Sequence, residues 1–317
     1  MKRYLITGVS GFVGQHFLKY LDTLEDQFDV VGIDRVVSCY TPANYSYRFM
    51  LINFPEEILD NNFINVFQPD YVLHLAGTSS VSECLKNPVK SMLNNTNSLL
   101  NVLFAINSSS NEIKNNCRIL VVSSSEVYAD SREPLAETSI CINKADNPYA
   151  FSKLTNELIA TMYCDKFNFD IITTRSFMHT GPNQNERFVI PSFVKQLRGA
   201  KRKNVIEAKL KTGNINILRD ITDVRDIVRA YYLLLKNGRK GEIYNVCSSV
   251  SIPLKKIIDI ASEIINIPVA IIIDPERVRT NDFQIVVGNN KKIYQETGWK
   301  PEITISQTLQ DMINCNG

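Results

Sequence analysis

Apolar residues in the first half of the chain fall into short runs separated by stretches with helical spacing. Arg3–Thr7, Val30–Ile33, Tyr47–Ile52, Tyr71–Leu75, Arg118–Ser123 and Asp170–Arg175 read as strands, several of them near-continuous apolar runs of the kind buried on both faces. Between them, Phe12–Leu21, Pro55–Val66, Asn87–Asn107 and Tyr149–Phe167 read as helices. Strands alternating with helices predict an α/β fold built on a doubly wound parallel sheet covered on both faces. Beyond Arg175 the pattern loosens. A polar loop at Ser176–Arg187 leads to a helix at Phe188–Gly199 and a locally basic stretch at Lys201–Lys211. Helix Asp223–Lys236, strand Glu242–Val246, helix Leu254–Asn266, strand Val269–Ile273 and helices at Asn290–Glu296 and Ile305–Ile313 complete the chain.

The turn after the first strand carries Gly8, Gly11 and Gly14. Strand, glycine turn and helix in that order let backbone N–H groups approach a pyrophosphate, with the helix N-terminus facing its charge. An ordinary βα turn with no ligand is the alternative. The second strand favours the ligand, because it ends on Asp34, about twenty residues past the last glycine, where a carboxylate takes ribose hydroxyls. The small residues of Leu75-Ala76-Gly77-Thr78 let backbone pass close to the same ligand, and Asn95 is the polar residue of interest on the following helix. Residues 1–175 are therefore expected to form a Rossmann-like NAD(P)-binding domain. Residues 176–317 are expected to form a smaller C-terminal α/β substrate lobe, with 215–246 partly returning to the first domain.

Composition narrows the partners. The 317 residues carry a net charge of +2 with acids and bases interspersed, so neither nucleic acid nor a membrane surface is expected as a partner. The seven cysteines are scattered and form no CxxC pair, which suits a reducing cytoplasm. No signal peptide, membrane-length apolar run or metal-ligand spacing is read.

The sharpest chemical signal is Tyr149-Ala-Phe-Ser-Lys153 at a helix start, following Ser123-Ser124-Ser125-Glu126. Residues four apart lie on one helix face. An ammonium there, with a positively charged nicotinamide ring nearby, is expected to stabilise the phenolate and lower the tyrosine pKa. Tyr149 then serves as base on a sugar hydroxyl, or as acid on a ketone, with Ser124 bonding the same oxygen. An amphipathic helix that merely displays a tyrosine and a lysine is the bland reading.

Taken together, TGxxGxxG, HLAG, SSSEVY and YxxxK resemble the extended short-chain dehydrogenase/reductase family of nucleotide-sugar enzymes. Arg175–Pro182, Arg187–Leu197, Leu218–Arg229, Gly241–Ser248, Asp274–Asp282 and Thr297–Pro301 are similar to its branch acting on GDP-mannose-derived sugars. The resemblance implies a catalytic set of Ser124, Glu126, Tyr149 and Lys153. It implies a cofactor set of Gly8, Gly11, Phe12, Val13, Gly14, Asp34, Arg35, Leu75, Ala76, Gly77 and Asn95 together with Tyr149 and Lys153. For the GDP-sugar it implies Ser125, His179, Arg187, Val189, Arg219 and Arg279, the last two clamping the diphosphate and His179 packing under the substrate. NAD is the expected cofactor, with NADP the alternative, and a homodimer or homotetramer is expected.

The reaction implied is reduction of a GDP-4-keto-6-deoxy sugar at C4. A 4,6-dehydratase using Glu126 at C5 and C6, or a 4-epimerase, remains the alternative. The chain departs from the family pattern at Met178, where asparagine is usual, and at Ala129-Asp130, where glycine is usual. Asp34 departs too, since a carboxylate facing a 2′-phosphate costs affinity, although Arg35 beside it softens this.

Overall fold

The computed structural model describes residues 1–37, 40–54, 56–142, 147–278 and 282–315. Its strands are β1 (Lys2–Thr7), β2 (Phe28–Asp34), β3 (Ser46–Leu51), β4 (Tyr71–His74), β5 (Arg118–Ser124), β6 (Asp170–Ser176), β7 (Met178–Thr180), β8 (Ala208–Thr212), β9 (Leu218–Asp223), β10 (Ile243–Val246), β11 (Ser251–Pro253), β12 (Val269–Ile273) and β13 (Ile285–Val286). Its helices are α1 (Phe12–Leu21), α2 (Asn61–Phe67), α3 (Val81–Lys86), α4 (Pro88–Asn107), α5 (Asn111–Asn116), α6 (Pro148–Phe167), α7 (Val189–Arg202), α8 (Val224–Asn237), α9 (Leu254–Ile265), α10 (Lys291–Thr297) and α11 (Ile305–Asn314).

The expected α/β class holds. Seven strands form one sheet in the order β10-β6-β5-β4-β1-β2-β3, and every neighbouring pair is parallel. Such a sheet needs helices on both faces, and it has them. One face packs Phe17, Leu18 and Leu21 of α1 with Val224, Ile227, Tyr231 and Leu235 of α8. The other packs Leu99, Val102 and Leu103 of α4 with Ile64 of α2, Ile113 of α5 and Ala160 of α6. A third core, centred on Phe193, Leu197, Leu210, Ile257 and Leu309, sits under α7, α9 and α11. No described helix is long and apolar enough to cross a membrane.

Several elements differ from the sequence pattern for local reasons. The helix expected over Pro55–Val66 is confined to α2, because Asp60 caps it, its side chain accepting the Asn62 N–H. The expected Asn87–Asn107 helix starts at Pro88, whose missing N–H costs nothing in a first turn, and α3 precedes it. The polar loop Ser176–Arg187 contains β7, paired with β9. The basic stretch hides β8, whose residues alternate between buried and exposed so that Lys209 and Lys211 face water.

Buried aspartates join the smaller core to the main sheet. Asp220 on β9 accepts the N–H groups of Ser248, Ser249 and Gly288 at 2.7, 2.9 and 3.1 Å. Asp223 caps α8 and accepts the Thr308 hydroxyl at 2.7 Å. Asp226 accepts the N–H groups of Glu302 and Ile303 at 3.0 and 2.9 Å, and its main-chain carbonyl takes the indole N–H of buried Trp299 at 2.9 Å. Removing that carboxylate takes the acceptor from two part-buried main-chain donors and one partner from Arg229. Asp226→Ala is therefore expected to lower unfolding stability by about 2–4 kcal/mol in urea titration.

Candidate functional site

The glycine turn sits where the sheet order reverses, with β1 flanked by β2 and β4, the usual place for a ligand crevice. Gly8 adopts φ +70°, and its N–H bonds the Ile33 carbonyl at 2.8 Å. A Cβ there would lie 2.7 Å from Ala76 N, and one on Gly14 would lie 2.5 Å from Val9 O. Backbone therefore packs on backbone. Gly11 caps α1 with no side-chain hydrogen bond, which leaves the first-turn N–H groups of Phe12 and Val13 for an anion. This cradle fits the dinucleotide pyrophosphate that the sequence implies.

Asp34 is bonded to the turn itself. Its Oδ2 accepts the Ser10 N–H at 2.9 Å and its Oδ1 the Arg35 N–H at 2.7 Å. Beyond β4, Leu75 N–H and Ala76 N–H bond the Thr7 carbonyl and hydroxyl at 3.1 and 3.2 Å, which lays Leu75–Gly77 alongside the turn. His74, which accepts or donates at Nδ1 with the Thr7 hydroxyl at 2.9 Å, is pushed by burial down to about 3 and so stays neutral. Asn95 is engaged within the protein. Its amide is taken up inside the protein, Oδ1 accepting Thr78 N–H at 2.6 Å and Nδ2 donating to Ser152 Oγ at 2.8 Å. It holds the Thr78 turn against α6.

The chemistry-bearing residues meet at the end of β5. Tyr149 and Lys153 lie one turn apart on α6, which starts correctly because Asn147 Oδ1 accepts the Ala150 N–H at 3.2 Å and Pro148 takes the first position. Lys153 Nζ donates to the Val122 carbonyl at 2.8 Å and lies 5.9 Å from the centre of the Tyr149 ring. Burial brings the Lys153 ammonium down to about 8, against the opposing pull of Cys84 and Glu157. The expected lowering of the Tyr149 phenol is not found in the protein alone. Burial raises it, and Glu126 raises it further, while a hydrogen bond from Ser124 works the other way. Glu126 Oε2 accepts from Asn147 Nδ2 at 2.9 Å, and Ser125 opens the same short 3₁₀ turn.

The residues expected around a sugar nucleotide are spread more widely. His179 stacks on Phe12 with ring centroids 6.3 Å apart, donates or accepts at Nδ1 with the Phe177 carbonyl at 2.9 Å, and is held neutral by burial. Arg187 crosses to α3, bonding Glu83 at 3.0 Å, and Val189 opens α7. Arg219 is the residue expected at the diphosphate clamp. It is buried on β9, bonds its neighbour's carbonyl at 2.8 Å and pairs with Asp282, so its guanidinium is already engaged. Arg279 lies outside the described residues. Sequence reading missed Glu157, Arg175 and Asn147. Asn147-Pro148 is a helix-start signature that was there to be read, and Glu157 continues the four-residue spacing of Tyr149 and Lys153.

A family model described as GDP-mannose 4,6 dehydratase matches residues 5–312. The chain belongs to the GDP-mannose 4,6 dehydratase family. Within this group of extended short-chain dehydrogenases/reductases, the chain is 32% identical over 317 residues to the GDP-6-deoxy-D-mannose reductase of Pseudomonas aeruginosa, covering 99% of this chain and 96% of the relative. It is 27% identical to the UDP-glucose 4-epimerase of Mycoplasma genitalium, covering 98% and 94%. The solved structure of RMD from Pseudomonas aeruginosa complexed with NADPH superposes with a TM-score of 0.79 at 30% identity, covering 99% of this chain and 98% of that one.

For a member of this family, the tight turn yields a direct test. Gly14→Ala forces the turn open and is expected to weaken dinucleotide binding about tenfold or more in a fluorescence titration. Gly199→Ala, where a Cβ would meet nothing within 4 Å, should leave it unchanged.

Proposed function

We propose that this chain is an NAD(P)H-dependent reductase acting at C4 of a GDP-linked 4-keto-6-deoxy sugar. The observation that carries the reading is the meeting of Ser124, Tyr149 and Lys153 at the end of β5, beside a backbone cradle for a dinucleotide. The similarity to a GDP-6-deoxy-D-mannose reductase over nearly the whole chain supports the substrate class. Gly8, Gly11, Phe12, Val13, Gly14, Asp34 and Leu75–Gly77 hold the cofactor. When bound, the dinucleotide supplies the hydride that reduces the ketone. Tyr149 gives its proton to the C4 oxygen, Ser124 hydrogen-bonds that oxygen, and the Lys153 ammonium stabilises the phenolate left behind. Asp34 favours NADH over NADPH, because a carboxylate at the end of β2 repels a 2′-phosphate on the adenosine ribose. Residues 1–175 form the dinucleotide-binding part and 176–317 the sugar-nucleotide lobe, with 215–246 returning to the first.

A second reading has its own support. Glu126, held by Asn147 close to Tyr149, would act as the acid/base of a 4,6-dehydratase. Incubation with GDP-mannose and no added reductant separates the two, a 4-keto-6-deoxy product meaning dehydratase. The reductase reading expects instead that NADH is consumed with a GDP-4-keto-6-deoxy sugar, and that Tyr149→Phe lowers kcat about a thousandfold with the fold intact. It also fixes a pH limb. Tyr149 stays protonated as pH rises, whereas Lys153 loses its charge through about 8. In the reductive direction kcat/KM, which reports the free enzyme, should therefore fall above that pH.

Surface chemistry supports the oligomer expected from the sequence. Val89, Leu93 and Phe104 of α4 and Phe151, Leu158 and Met162 of α6 are exposed on two helices that pack side by side. A second copy of the chain covers this face, giving a homodimer. Leu158→Glu is expected to convert dimer to monomer in sedimentation velocity. Among the described residues, Cys84, Cys117, Cys141, Cys164 and Cys247 are free thiols, which supports a cytoplasmic location.

A further inference from the structure

We propose that Glu157 is a positioning residue for this reduction: bonded at once to Ser123 of β5 and Arg175 of β6, it sets the rotation and depth of α6 so that Tyr149 and Lys153 reach Ser124 and Val122. The proposal rests on the catalytic reading of Tyr149 and Lys153 above.

Three residues at four-residue spacing on α6 meet three consecutive residues of β5. Tyr149 faces Ser124, Lys153 donates to the Val122 carbonyl, and Glu157 Oε1 accepts the Ser123 hydroxyl at 2.5 Å. Ser123 and Arg175 are themselves register partners across β5 and β6. Arg175 reaches the same carboxylate, Nη2 to Oε2 at 2.8 Å and Nε to Oε1 at 3.1 Å. One side chain thus ties the helix to both strands. The Glu157 and Arg175 side chains are only 4% and 5% exposed, and Arg175 is braced by the Glu137 carbonyl at 3.0 Å and the face of Tyr128 at 4.7 Å.

Packing alone does not set the helix. The buried positions of α6 are Tyr149, Ala150, Ser152, Asn156, Glu157 and Ala160. None of these is a large aliphatic knob, and Ile159 and Tyr163 pack on the core only partly buried; a two-pronged guanidinium–carboxylate pair resists rotation and sliding more firmly. A buried pair of this kind adds little net stability but specifies geometry, and a displacement of about 1 Å at reacting groups costs on the order of a hundredfold in rate. Charge acts in the same sense. Lys153 is faced by His74 from β4, by Cys84 from α3 and by Tyr149 and Glu157 from its own helix, with Arg175 of β6 behind Glu157. Glu157 is the carboxylate among them that favours the ammonium.

The test compares full-length wild type with Glu157→Gln, Ser123→Ala and the double variant Glu157→Gln/Arg175→Gln, which leaves no buried charge unpaired. Turnover is measured with a GDP-4-keto-6-deoxy sugar and NADH. Lys153 is titrated by NMR in protein labelled with 13C-lysine, its resonance assigned through Lys153→Arg. Folded Glu157→Gln is expected to lose about tenfold or more in kcat with both KM values within about twofold. Its Lys153 midpoint is expected to move to lower pH by about half a unit or more. Wild-type kcat and an unmoved midpoint in folded Glu157→Gln overturn the proposal. Should that variant not fold, the other two decide: reduced kcat at unchanged KM supports the role, and wild-type kcat in both overturns it. Wild type that turns over no GDP-linked 4-keto sugar defeats the reductase reading instead, while the Lys153 titration still decides the part of Glu157.

Discussion

Backbone packed directly on backbone at the reversal of the sheet is the constraint that the rest of the site depends on. Gly8 turns back at positive φ with its N–H on the end of β2, while the chain leaving β4 passes within van der Waals reach of its Cα. No side chain fits between these segments, so the carboxyl ends of β1, β2 and β4 form one rigid floor. The first turn of α1 then offers its amide groups above that floor. Asp34 and Thr7, which elsewhere would be free polar groups, are drawn into holding it. A large anionic ligand thus meets a surface organised before it arrives.

The proposed acid–base chemistry sits one strand further out and is held in a different way. At the end of β5 the contacts are polar and buried or half-buried: a lysine on a main-chain carbonyl, a carboxylate between a serine and an arginine, an asparagine between a helix cap and Glu126. Buried polar networks are costly unless every member is paired, so they tolerate few alternative arrangements. The raised phenol of Tyr149 and the lowered ammonium of Lys153 are consequences of the same burial. Each group is kept closer to its neutral form until a ligand changes the surroundings. That balance suits a tyrosine that must give up a proton only when a ketone is in place.

The smaller core is fastened to the sheet by Asp220, Asp223 and Asp226 on β9 and α8, all three buried and accepting main-chain or hydroxyl donors from distant segments. The acidic, arginine-rich stretch Leu218–Arg229 is thereby chiefly a joint between two cores. Arg219 within it is paired with Asp282 across the β9–β13 side of the small sheet. A substrate phosphate that used Arg219 would have to compete with a carboxylate already in place.

The sequence by itself was enough for the parallel sheet, the glycine turn with its acidic partner, and the Tyr149–Lys153 pair, because each depends on a local signal. Apolar runs at strand length, glycines at a turn and a four-residue helical interval are all visible in a few neighbouring residues. What only the tertiary structure decided lies in contacts between residues far apart in the chain. The Asn95 amide is engaged by Thr78 and Ser152, and Arg219 by Asp282, partners that lie 17, 57 and 63 residues away along the chain. Strands β7 and β9 escaped notice because their short polar segments gain strand character only by pairing, with each other and, for β9, with β11 and β13. The direction of the Tyr149 shift was likewise set by burial, which depends on how helices close over the sheet and has no periodic trace in the chain.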